Sequence, residues 1–105
     1  MPLMAYGLAP RILMTYRKRA GHDQADVAAL IPCADGSGEP WPRALLSMVE
    51  NGKARVRGLT PMYLAALAAL DHVRAHEGCS AFLGGCGRIH LDCTRCACME
   101  ERRDA

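Results

Sequence analysis

Five of the six cysteines in this 105-residue chain fall between positions 79 and 98: Cys79, Cys86, Cys93, Cys96 and Cys98, with His76 and His90 nearby. Thiolates and imidazoles are the donors that enclose zinc, four of them around one tetrahedral ion with Zn–S near ~2.3 Å. A Cys-x-x-Cys unit in a tight turn directs two sulfurs at one point. The spacing therefore predicts a metal centre using Cys93, Cys96 and Cys98 together with Cys79 or Cys86. Gly84, Gly85 and Gly87 flank Cys86 and suit a knuckle whose backbone N–H groups turn towards sulfur. Structural zinc is the first expected occupant, an iron–sulfur cluster the second, and unligated thiols or disulfides the third. His76 and His90 are expected at the surface or bonded to partners. Cys33, remote from the cluster, reads as a small buried hydrophobe. A redox enzyme using Cys93 and Cys96 as a dithiol would normally come with a βαβ pattern, and its lack argues against an enzyme.

The second group of residues with chemical consequence is basic. The formal net charge is only +2, so its distribution matters more than its sum. Up to Thr60 there are eight bases against five acids, whereas from Pro61 onward five bases face six acids. Lys53, Arg55 and Arg57 alternate with small or apolar residues, a pattern that can neutralise backbone phosphates. No stretch approaches the ~18 apolar residues of a membrane span, and no basic segment precedes an apolar signal-like run, so a soluble cytoplasmic protein is expected.

These residues need elements to hold them. Apolar residues make up 50% of the chain and aromatic ones only 5%, so Ala, Leu and Met dominate and an all-α fold is expected. Pro10 opens a first helix that Gly21 closes, with Ile12, Leu13 and Tyr16 forming its apolar stripe and Arg17, Lys18 and Arg19 at its cation-favouring end. Asp23 caps a second helix running to Ile31, which Pro32 stops. Residues 33–40 read as a loop, after which Trp41 and Pro42 open a third helix over 42–51, with Leu45, Leu46 and Val49 at helical spacing. Thr60-Pro61 starts a long closing helix whose stripe is Leu64, Leu67, Ala68 and Asp71 or His72. The Gly- and Cys-rich remainder shows no periodicity. Two regions follow: a helical domain over 1–75 and a cysteine-rich tail over 76–105.

Gly21-His22-Asp23-Gln24 followed by Val27-Ala28, then Leu46-Ser47 and Val49-Glu50-Asn51-Gly52-Lys53, then the helix from Leu59 to Leu70, resemble the lambda-repressor-like helix-turn-helix regulators, also called XRE or Cro/C1 type. The resemblance covers about residues 10–71. It implies a bundle of four to five helices, a homodimer on double-stranded DNA, and a recognition helix over 42–51 in the major groove. Arg43, Ala44 and Ser47 would then read bases, while Gln24, Lys53, Arg55 and Arg57 contact phosphates. Residues 33–40 lengthen the turn between the two motif helices, and the recognition helix lacks a Ser or Thr cap. The run Cys93-Thr-Arg-Cys96-Ala-Cys98 in turn resembles the C-x-x-C-x-C element of the MerR-family superoxide sensor, which holds a [2Fe–2S] cluster. That resemblance makes an iron–sulfur redox-sensing regulator the alternative; an interaction module such as an antitoxin or adaptor is another.

Overall fold

The computed structural model describes residues 9–32, 39–76, 78–84 and 88–93. Four helices come first, α1 (Pro10–Ala20), α2 (Gln24–Ala28), α3 (Arg43–Glu50) and α4 (Leu59–Ala75). Two strands follow, β1 (Cys79–Leu83) and β2 (Ile89–Cys93), paired as an antiparallel hairpin.

The hairpin corrects the all-α expectation. Its register sets Cys79 opposite Cys93, Ala81 opposite Leu91 and Leu83 opposite Ile89. These three pairs share the face turned towards the protein, and Ala81, Ile89 and Leu91 pack on the helical core. On the other face Phe82 lies opposite His90 with their rings stacked, centroids 5.3 Å apart. The alternation has period 2 on both strands, but its inward positions are taken partly by cysteine and alanine, so it does not read as apolar against polar. The Gly84 N–H donates to the Arg88 carbonyl (2.9 Å) and closes the strands beyond Leu83.

Each helix end has a local cause. Pro10 fits the first turn of α1, and Gly21, at φ 78°, ends it in the left-handed conformation. The Gly21 N–H bonds to Lys18 and the His22 N–H to Arg17, which satisfies two carbonyls of the last turn. Helix α2 is shorter than its spacing suggests: it stops at Ala28, and Leu30 and Ile31 follow in turns. Asp23 precedes it without a side-chain capping bond. Helix α4 begins at Leu59, after Gly58 at φ 72°, so Thr60 and Pro61 sit inside the first turn instead of Thr60 standing before it.

The lengthened turn between α2 and α3 closes on itself. Pro32 and Pro40 form an isolated antiparallel bridge, and the Trp41 N–H donates to the Ile31 carbonyl at 2.9 Å. Trp41, buried, joins the core and does not open the helix, which starts at Arg43. Cys33 lies outside the described residues.

Leu13, Val27, Ile31, Leu46, Val49, Leu59, Tyr63, Ala66 and Leu67 form the core between the helices. Two expected stripes are displaced. On α1 only Leu13 of the three apolar residues is buried, while Ile12 and Tyr16 are exposed. On α4 the buried face runs through Tyr63, Ala66, Leu67 and Ala69, with Leu64 and Ala68 outward. In an Ala-rich helix, a rotation of one position changes little in hydrophobic periodicity, so packing decides the face. None of the described helices is long and apolar enough to cross a membrane.

Candidate nucleic-acid interface and metal centre

Four helices meet at one carboxylate. Glu50, the last residue of α3, is 1% exposed and accepts hydrogen bonds from a side chain on each of the other three helices. Arg17 of α1 donates through Nε (2.8 Å) and Nη2 (2.9 Å), Gln24 of α2 through Nε2 (2.8 Å), and Tyr63 of α4 through its hydroxyl (2.5 Å). Arg17 also donates from Nη1 to the His22 carbonyl (2.9 Å). Burial alone would raise the Glu50 carboxyl pKa, but the bonds from Arg17, Tyr63 and Gln24 outweigh it and hold the group below its ordinary value. The same contacts raise the Arg17 guanidinium, chiefly through the Glu50 bond. Burial, then the Glu50 bond, pushes the Tyr63 phenol well above its ordinary range. Among the described residues no buried side-chain nitrogen or oxygen lacks a hydrogen-bond partner.

Arg17 was expected among the cations that favour the C-terminal end of α1; it is a buried ion-pair partner of Glu50. A sign of this was available, because Arg17 follows Leu13 by four positions and so shares its face. Glu50 likewise adjoins Leu46 and Val49 on α3.

The network sets the position of Gln24. One N–H of its amide is fixed on Glu50, which holds the side chain at the rim of an open groove between α2 and α3. Gln24, Arg43, Ala44 and Ser47 line this groove, so one phosphate candidate and all three base-reading candidates converge there. An adjoining recess is lined by Arg17, Lys18, Asp23, Gln24, Ala25 and Arg43. Arg43 and Ala44 are exposed and Ser47 half-buried, with the Ser47 carbonyl bonded to Asn51 Nδ2 at 2.8 Å. Lys53 is exposed just past α3, its N–H bonded to the Met48 carbonyl (2.8 Å). Arg55 and Arg57, also exposed, line a different recess with Pro10 and Val49.

The corner between α1 and α2 is pinned from α4. His22, buried, lies between Asp71 Oδ1, 2.7 Å from its Nε2, and Arg74 Nη2, 3.0 Å from its Nδ1. Arg74 also donates to the Ala20 and Gly21 carbonyls. Guanidinium can only donate, so Nδ1 accepts and Nε2–H points to Asp71. This clamp fixes the entry of the chain into α2.

At the same C-terminal end of α4, His72 faces the open end of the hairpin. His72, Cys79 and Cys93 bring one imidazole nitrogen and two sulfurs within 4.8 Å of one another, a group that could hold a metal ion. His72 Nε2 stands 3.4 Å from Cys93 Sγ, and neither cysteine is in a disulfide. Cys79 and Cys93 were expected ligands. His72 was not: it entered only as a position on the helical stripe. Cys86, Cys96 and Cys98 lie outside the described residues. His90 is exposed and stacks on Phe82, and His76 stacks on His72 with centroids 4.3 Å apart. No protein-family model matches the chain, and neither a curated protein nor a solved structure is significantly similar to it.

Proposed function

We propose that this chain is a sequence-specific DNA-binding transcriptional regulator that works as a homodimer, with α3 entering the major groove. The observation that carries this reading is the convergence of Gln24, Arg43, Ala44 and Ser47 on one exposed groove between α2 and α3. A guanidinium at the start of a groove-reading helix can bond a guanine edge, and a neighbouring methyl can meet thymine. An amide held by a buried carboxylate is preorganised to donate its second N–H to a phosphate oxygen. Lys53, Arg55 and Arg57 add a sequence-independent attraction.

The metal in this reading is structural zinc. One imidazole and two thiolates supply three of the four donors of a mixed tetrahedral zinc site, whereas the commonest [2Fe–2S] sites take four cysteines.

Selection of duplexes from a random pool is expected to enrich one motif with two half-sites. Arg43→Ala should relax preference at one position of each half-site by about 1–3 kcal/mol, while Lys53→Ala should weaken all duplexes alike. Recovery of no motif from the pool would end the regulator reading.

A further inference from the structure

We infer that His72 is a metal ligand, and that one thiophilic divalent ion bound by His72, Cys79 and Cys93 ties the hairpin to the closing helix. The inference rests on the metal reading above and changes the ligand set expected from the sequence, replacing a knuckle confined to the tail by a site shared between α4 and both strands.

Three features converge on it. The strand register places Cys79 and Cys93 directly opposite each other at the ends of β1 and β2, on the face turned to α4. Their sulfurs and the His72 nitrogen lie within 4.8 Å of one another. Around tetrahedral zinc, with Zn–S ~2.3 Å and Zn–N ~2.0 Å, an imidazole nitrogen and a thiolate sulfur stand about 3.5 Å apart. His72 Nε2 and Cys93 Sγ are 3.4 Å apart, so this pair needs little movement to admit an ion. The site is also shielded, with Cys93 buried and His72 and Cys79 half-buried. Each donor is carried by a regular element and not by a loop, which preorganises the set.

An isolated two-stranded hairpin is marginal in water. Here its inward face offers only Ala81, Leu83, Ile89 and Leu91 as apolar contacts besides the cysteines, all of them half-buried. Metal binding and local folding share one free energy, so an ion fixed to both α4 and the strands would supply the order that this small face does not.

The test is cobalt(II) titration of the reduced full-length protein, followed by visible absorption, with circular dichroism as a check on folding. The wild type is expected to take up cobalt with d–d bands of tetrahedral ligation and a thiolate-to-metal charge-transfer band. His72→Ala should weaken uptake by more than about tenfold. His72→Cys should restore uptake with a stronger charge-transfer band, because one more thiolate is bound. Cys79→Ser and Cys93→Ser should each lower that band. If the wild type takes up no cobalt, or holds Cys79 and Cys93 as a disulfide when purified without oxygen, the metal reading itself is overturned. If the wild type binds cobalt and His72→Ala binds it with the same affinity and spectrum, the ion is held elsewhere and this inference alone is overturned.

Discussion

Glu50→Ala is expected to cost about 3–5 kcal/mol of folding stability, read as the loss of free energy extrapolated from urea unfolding. The substitution removes little apolar surface. It leaves the Arg17 guanidinium, 7% exposed, without its carboxylate, and it strips the Tyr63 hydroxyl and the Gln24 amide of their acceptor. A buried charge without a partner is far more costly than a buried pair is stabilising. The triple variant Arg17→Met, Glu50→Leu, Tyr63→Phe should therefore recover most of the loss, since no charge or hydroxyl is left stranded. A Glu50→Ala variant within about 1 kcal/mol of wild type would contradict the buried network.

The same carboxylate gives a pH dependence of known sign. Its folded-state pKa lies below the ordinary 4.5, so the unfolded chain binds the proton more tightly. The stabilisation is present above about pH 4.5 and is lost as pH falls through the folded value. Stability should decline on acidification from that point, and Glu50→Gln should flatten the decline. An unchanged slope in that variant would assign the acid sensitivity to other groups.

If DNA is the partner, its affinity should fall by about a thousandfold to a hundred-thousandfold between 50 and 200 mM salt, the behaviour of a protein that neutralises six to ten phosphates. A homodimer doubles every contact, and Lys53, Arg55 and Arg57 would alone supply about six. Converting these three to alanine should lower the slope of log affinity against log salt by about one for each lost phosphate contact while leaving the preferred motif unchanged. Arg43, Ala44 and Ser47 should behave in the opposite way, altering the motif more than the slope. Equal effects of both sets on the slope, with no change in motif, would place Arg43 among the phosphate contacts.

Much of the helical half was legible because its signals are local. Pro10 and Gly21 bound α1, Pro42 and Asn51 bound α3, and Leu13, Val27, Leu46, Val49 and Leu67 carry the core. The features that were not legible are those decided between elements. The inward alternation of the strands is written in cysteine and alanine, which look like ligands and filler until the pairing is known. The Ala-rich face of α4 fits several rotations about its axis. Arg17, Glu50 and His22 are polar residues whose burial makes sense only once their partners, from as far as 52 positions away, are in place. His72 belongs with them: nothing in the spacing of the thiols pointed to a donor on a preceding helix.

The bridge between Pro32 and Pro40 has a practical consequence. Because the chain leaves and re-enters at one paired point, with Trp41 anchored to Ile31, the number of residues carried between the two prolines is uncoupled from the geometry of α2 and α3. Joining the ends of a longer segment costs little, about 0.6 kcal/mol for each doubling of length. Lengthening the chain between Pro32 and Pro40 is thus expected to change the stability little as long as this paired point holds.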